Sequence, residues 1–346
     1  MATRRTRCQW CGVPLHVPYE ARRIHCPNCR RIVQLPEVNG NLNGGMRISP
    51  YVGYQRPGPR MPIQMPQLPV HGPKRAVLCG VSYKNHPKSL KGSINDVQSM
   101  RHLLVERLGF PSSSVLVLTE EEKGHTRIPT KRNIRAALQW LVQGCQARDS
   151  LLFYYSGHGS RVRDRDWDEI DEHDEALCPV DFETEGKILD DEINATIVRP
   201  LTRGVTLHAI FDTCFSGTSL DLRYVCRMNR EGNYKWEDHF VPYAEYKGTA
   251  GGLAISISAC DDHQNSQDTT YFTGTATGAL TYTFIKTLEY EPRLTYGRLF
   301  MTMRDSIYKA QSGSGPNGAF PTNDSLQEPL LSTSTPFDIH QKPFIL

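Results

Sequence analysis

The sequence predicts an α/β fold in which a mostly parallel sheet is flanked by helices on both faces. Two kinds of apolar patterning lead there. Short, nearly continuous apolar runs recur at Ala76–Val81, Val115–Leu118, Leu151–Tyr155, Val205–Phe211 and Leu253–Ala259, as in strands buried on both faces. Between them stand segments of helical period. Ile94, Val97, Met100, Leu104 and Leu108 mark one face of a helix over Ser93–Leu108, and Thr130–Cys145 follows with Thr130 placed as its N-cap. Asp190–Arg199, Gly278–Leu288 and Tyr296–Lys309 carry the same signal. Strand–helix alternation of this kind is what parallel crossovers require. The polar stretch 221–250 shows no clear element, and no internal repeat is visible.

Composition narrows the class. The chain has 346 residues, 38% hydrophobic and 22% charged, which excludes a wholly disordered, collagenous or coiled-coil protein. No run approaches the roughly 18–20 apolar residues of a membrane helix. Met1–Trp10 carries Arg4, Arg5 and Arg7 with no apolar segment behind them, so no secretory leader is expected. A cytoplasmic location, with the nucleus as a second compartment, is the expectation. The net charge of +3 conceals an asymmetry: residues 1–75 carry about +10 and the remainder about −7. The same boundary divides the prolines, 11 of 23 falling in the first 75 residues.

Cys8, Cys11, Cys26 and Cys29 form two Cys-x2-Cys pairs fourteen residues apart. Four thiolates so spaced are a strong structural zinc signal. The expected organisation is a zinc module over 1–35 and a Pro-rich disordered linker over 36–74, which lacks the apolar periodicity to bury anything. Folded parts follow over 75–225 and 253–346, joined by a linker over 226–252. The arginines around the zinc module admit a second class of function, a catalytically silent adaptor that binds nucleic acid or a regulatory protein. Trp10 and Tyr19 are the only aromatics there to stack on bases.

In a parallel sheet, reactive groups collect at the carboxyl ends of strands. His158 follows one strand between Gly157 and Gly159, and Cys214 follows another. If those strands are neighbours, the thiol and the imidazole form a nucleophile and an acid/base pair. Gly159, without a side chain, could aim its N–H at a developing oxyanion beside the Cys214 amide. A lone Cys at a strand end is more often a buried hydrophobe. It is the pairing, with His 56 residues before Cys, that matches the caspase order. Cys79, Cys145 and Cys178 read as core thiols and Cys226 as a candidate for exposure. Cys260 reads as a structural thiol near the cleft.

The motifs then become specific. Tyr-Ser-Gly-His-Gly at 155–159, Asp-Thr-Cys-Phe-Ser-Gly at 212–217, Leu-Lys-Gly-Ser-Ile-Asn-Asp-Val at 90–97 and Ile-Ser-Ile-Ser-Ala-Cys-Asp-Asp-His-Gln at 255–264 resemble the metacaspases. The likeness covers residues 75–335, and with the zinc module and linker it resembles the plant type I branch. It implies a caspase-like sandwich, a cysteine endopeptidase made as a self-processing zymogen, and a role in regulated cell death or stress response. The N-terminal cysteines resemble the lesion-simulating-disease type of zinc finger, although Leu15–Ala21 departs from that consensus. The family often has Cys where Ser93 stands.

Asp212, two residues before Cys214, puts a carboxylate beside the nucleophile if the strand persists. The resemblance adds Asp96 and Ser156 to the pocket. Two carboxylates there would hold a guanidinium or ammonium and repel Asp, so cleavage after Arg or Lys is expected. Read without the family, Asp96 is a solvated acid in a first helical turn. Asp164 to Glu175 packs eight carboxylates against the single base Arg165. That is self-repulsive without cations, yet it lacks EF-hand spacing. By resemblance, calcium would activate the enzyme through Asp174, Asp190, Asp191 and Asp221. The resemblance also implies self-processing, for which Lys235, Lys247 and the Arg residues of the linker are candidates. Protein substrates, a monomer without a membrane partner, a regulatory protein at the zinc module and no nucleic acid complete the expectations.

Overall fold

The structure, a computed structural model, describes residues 3–7, 14–18, 23–25, 32–34, 73–164, 173–213, 216–229, 231–240, 246–259, 268–269, 277–291, 293–312 and 328–346. The N-terminal strands form two antiparallel pairs, β1 (Thr3–Arg7) with β2 (Pro14–Pro18) and β3 (Arg23–His25) with β4 (Ile32–Gln34). The proposed zinc ligands Cys8, Cys11, Cys26 and Cys29 lie outside the described residues.

The catalytic region begins at β5 (Lys74–Gly80) and runs through α1 (Ser93–His102), β6 (Val115–Leu118), α2 (Lys131–Val142) and β7 (Ser150–Ser156). β8 (Gly159–Arg163), β9 (His173–Leu177), α3 (Phe182–Glu185), β10 (Ile188–Leu189) and α4 (Asp190–Ile193) lead to β11 (Thr206–Asp212). There follow β12 (Tyr224–Met228), β13 (Tyr234–Asp238), β14 (Leu253–Ser258), β15 (Asp268–Thr269), β16 (Thr277–Gly278), α5 (Ala279–Tyr290), α6 (Tyr296–Ser312) and β17 (Leu330–Thr333). Thr130 caps α2 as expected, its hydroxyl accepting the Asn133 N–H.

The main sheet has the order β13-β12-β17-β14-β11-β7-β5-β6. Its five strands from β14 to β6 are parallel, whereas β17, β12 and β13 join antiparallel. Strand alternation splits the core into two layers. Ala76, Leu78, Leu152, Tyr154, Ile210, Ile255 and Ile257 pack on one face with Val97 and Met100 of α1, Phe284 of α5 and Leu299 of α6. Val77, Cys79, Leu151, Phe153, Leu207, Ala209 and Phe211 pack on the other with Ile134, Leu138 and Leu141 of α2. Both faces of each central strand are thus covered, which explains the unbroken apolar runs.

Two differences from the sequence reading concern the edge. The stretch 221–250, read as lacking structure, supplies β12 and β13, so part of the expected linker 226–252 lies in the sheet. β12 brings the buried Val225 and Cys226 to the sheet, while β13 at its edge mixes Tyr234 and Trp236 with Lys235, Glu237 and Asp238. Cys226, read as a candidate for exposure, is buried in β12.

Candidate active site

Three parallel strand ends form the floor of the site. Gly80, Ser156 and Asp212 are register partners across β5, β7 and β11. A Cβ at Gly80 would fall 2.8 Å from the Ser93 carbonyl oxygen. Glycine therefore lets the start of α1 close on the strand ends and carries Asp96 to the floor. The Ser156 hydroxyl donates to Asp96 Oδ2 at 3.4 Å. Asp96, Ser156 and Asp212 are all buried.

The same two carboxylates meet the start of α5. Asp96 accepts the Gly278 N–H at 3.0 Å and the Thr277 hydroxyl at 2.5 Å. Asp212 accepts the Thr281 N–H at 2.9 Å and its hydroxyl at 2.5 Å. Amides at a helix start favour the ionised carboxylate. The Tyr154 hydroxyl, 2.7 Å from Thr281 Oγ1, is pushed well above its ordinary range, first by burial and then by the charges of Asp96 and Asp212.

β7 leads into His158 and β11 leads toward Cys214, so the two candidate catalytic residues follow neighbouring parallel strands. Cys214 itself lies outside the described residues. Its flanks are buried, and the Ser216 hydroxyl donates to the Thr213 carbonyl at 2.8 Å. Three of the four described thiols make poor nucleophiles. Burial raises the Cys79 and Cys178 thiols, and pushes Cys226 up to about 12, whereas attack needs the thiolate.

His158 is half-buried, its ring packed at a 30° tilt against Tyr83 with centroids 4.6 Å apart. Its Nε2 lies 2.6 Å from the Lys88 carbonyl oxygen. A carbonyl only accepts, so Nε2 carries the hydrogen and Nδ1 is the basic nitrogen of the neutral ring. After His158 the chain turns into β8, which pairs with β9 and through it with β10 in a separate antiparallel sheet. The Cys178 N–H bonds the His158 carbonyl at 3.1 Å. Gly159 and Leu177 are thereby a non-hydrogen-bonded pair, and the β8–β9 ladder does not take up the Gly159 N–H.

β9 and α4 build an acidic centre. Asp174, Asp190 and Asp191 offer ligand oxygens that all lie within 4.8 Å of one another. The Glu175 N–H donates to Asp190 Oδ2 at 3.0 Å, and the Asp191 N–H to Asp190 Oδ1 at 3.0 Å. Asp221, the fourth expected ligand, joins through Lys247, whose ammonium contacts both Asp191, at 3.2 Å, and Asp221. The centre is tied to the segment that follows Cys214: Thr218 donates to Glu175, and Asn194 Nδ2 to the carbonyls of Leu220 and Asp221 at 3.0 and 3.1 Å.

Comparison with known proteins identifies the arrangement. The metacaspase peptidase C14 domain matches residues 74–223. Metacaspase-3 of Arabidopsis thaliana is 48% identical over 372 residues, covering 100% of both chains. Metacaspase-1 of the same plant is 48% identical over 354 residues, covering 98% of this chain and 95% of its own. The chain is a plant metacaspase. A solved protein of Geobacter sulfurreducens, GSU0716, shares the fold at 23% identity, with a TM-score of 0.51 over 79% of this metacaspase and 98% of itself. Membership makes the protein a caspase-like cysteine peptidase acting on protein substrates. No described helix is long and apolar enough to cross a membrane.

The family resemblance joined Asp96 and Ser156 to Asp212, and Asp174 to Asp190 and Asp191, whereas the residues alone made Asp96 a solvated acid and the structure buries it. Sequence reasoning missed Thr277, Gly278 and Thr281, because a Thr-Gly step at a helix start carries no chemical signal until a carboxylate lies against it. It also missed Tyr83 and Lys88, which touch His158, and Glu120, which binds the Ser82–Lys84 turn. Lys247 was noted only as a cleavage position.

Proposed function

We propose that this metacaspase is a calcium-activated endopeptidase cutting after Arg or Lys, with Cys214 as nucleophile and His158 as acid/base. The observation that carries the specificity is the convergence of buried Asp96 and Asp212 at the strand end that precedes the nucleophile. Two fixed carboxylates attract a guanidinium or ammonium and repel an acidic side chain.

In this reading the His158 Nδ1 takes the thiol proton and the thiolate attacks the scissile carbonyl. The N–H groups of Gly159 and Cys214 receive the oxyanion. The imidazolium then protonates the departing amine as the C–N bond breaks, and water hydrolyses the thioester with His158 as base.

The acidic centre fits a hard divalent cation. Its donors are all carboxylate oxygens, Asp174 and Asp190 are buried, and the cluster already takes up the cationic Lys247. Asp174, Asp190, Asp191 and Asp221 would hold calcium, which supplies compensating charge. The links from Glu175 and Asn194 would carry that ordering to the residues after Cys214. Zinc at Cys8, Cys11, Cys26 and Cys29 is supported by the hairpins, since each Cys pair falls in the connection between paired strands. Self-processing, a cytoplasmic and nuclear location, monomeric state, a regulatory protein at the zinc module and a role in regulated cell death or stress response complete the proposal.

The test is hydrolysis of matched fluorogenic peptides ending in Arg, Lys or Asp, with calcium or with chelator. Calcium-dependent turnover of the basic peptides alone is expected. Turnover of the Asp peptide would sink the pocket, and equal turnover in chelator would sink calcium activation.

A further inference from the structure

Both contacts that orient the His158 imidazole come from one loop, residues 81–92 between β5 and α1. The Tyr83 ring packs against it at a 30° tilt and the Lys88 carbonyl accepts its Nε2–H. Tyr83 also accepts the His158 backbone N–H at its hydroxyl, 2.9 Å away, and donates that hydroxyl to the Cys178 carbonyl at 2.5 Å. Phe182 packs edge-on against Tyr83, ring centroids 6.0 Å apart.

This loop is not an intrinsically comfortable one. Tyr83 and Asn85 have φ of +52° and +66°, and a bulky aromatic in the left-handed region is held there only by its surroundings. The restraint is Glu120, which follows β6. One of its oxygens accepts the Ser82 N–H at 2.5 Å, the Ser82 hydroxyl at 2.7 Å and the Tyr83 N–H at 3.1 Å. The other accepts the Lys84 N–H at 2.9 Å. Three consecutive amides converging on one carboxylate form an anion-binding turn, here filled by the chain's own side chain.

We infer that Glu120 is a positioning residue for catalysis: its carboxylate folds the 82–84 turn, and the turn sets the Tyr83 ring and Lys88 carbonyl that fix His158 in its Nε2–H tautomer. This rests on the reading of His158 as the acid/base. A ring free to populate the Nδ1–H tautomer would present a donor where the thiol needs an acceptor. The effect should fall on the chemical step, because Glu120 holds neither the nucleophile nor the carboxylates of the pocket.

The test uses the full chain with Glu120→Gln and Glu120→Ala. On an Arg peptide, kcat is expected to fall roughly 10- to 100-fold in Glu120→Ala with KM little changed, and less in Glu120→Gln, which keeps one acceptor oxygen. The discriminating readout is the ring 15N spectrum of His158 in the Cys214→Ala background. It should show the Nε2–H tautomer alone with Glu120 present and a mixture in Glu120→Ala. Unchanged kcat in both Glu120 variants, or a fall in kcat with the tautomer unmoved, would overturn the inference. Should Glu120→Ala fail to fold, Glu120→Gln carries the same two readouts at smaller amplitude. Full activity in His158→Ala would instead refute the acid/base reading beneath it.

Discussion

Asp96 and Asp212 arrive from different elements, a helix and a strand end, yet both bind the start of α5, through the Gly278 N–H at 3.0 Å and the Thr281 N–H at 2.9 Å. This shared anchor keeps two like charges buried together next to the nucleophile segment. Unpaired, each would carry a heavy desolvation cost. Helix amides and threonine hydroxyls supply the donors that compensate both carboxylates.

Removing either charge should therefore damage recognition. Asp96→Asn and Asp212→Asn are each expected to lower kcat/KM for an Arg peptide by roughly 30- to 1000-fold, the loss of one partner of a buried charge pair. Steady-state kinetics checks this. A variant that keeps the wild-type kcat/KM would remove its residue from the pocket.

Gly278 gives a steric test of the same anchor. A Cβ there would lie 1.9 Å from Asp212 Oδ2, whereas one at Gly124 would come no closer than 3.5 Å to the flexible Arg127 side chain. Gly278→Ala should abolish most turnover and lower Tm by several degrees, while Gly124→Ala leaves both close to wild type. Equal effects at the two positions would contradict the geometry.

Lys247 competes with any cation at the acidic centre, since its ammonium already bridges Asp191 and Asp221. In the Cys214→Ala background, Lys247→Met should bind calcium several-fold more tightly by calorimetry, and Asp191→Asn several-fold more weakly. Unaltered affinity in Lys247→Met would show that the ammonium is not displaced. Absence of heat in every form would refute calcium binding there.

His208 predicts how stability depends on pH. It is fully buried, its Nε2 2.6 Å from the Tyr296 hydroxyl, and burial, aided by Lys342, lowers its pKa to about 3. The unfolded chain thus binds a proton near pH 6.5 that the folded chain refuses. Stability from this group is complete above pH 6.5 and is lost as pH falls toward 3, about 2 kcal/mol of it between pH 7 and 5. His208→Gln should flatten that part of the Tm profile, and an unchanged slope would refute it.

The central sheet was legible because both its faces are buried, so β5, β6, β7, β11 and β14 stand out as apolar runs. β12 and β13 were not: each is only five residues long, and Arg227, Lys235, Glu237, Asp238 and the polar residues around them mask the apolar ones. β8 and β9 were hidden for a related reason: their hydrophobic content is replaced by Arg161, Asp174 and Glu175, which serve the acidic centre. His158 stood out in the sequence through its flanking glycines and its place after a strand. The supports of the site did not, because Glu120 acts through backbone amides and Gly278 through absence of a side chain, neither of which leaves a spacing in the sequence.

The most direct test is intact-mass analysis after incubation with peptidyl chloromethyl ketones ending in Arg or in Asp, in calcium, followed by mapping of the modified residue. The account predicts a single adduct on Cys214, formed with the Arg reagent, and none in Cys214→Ala. Labelling by the Asp reagent, or an adduct on any other cysteine in place of Cys214, would contradict it.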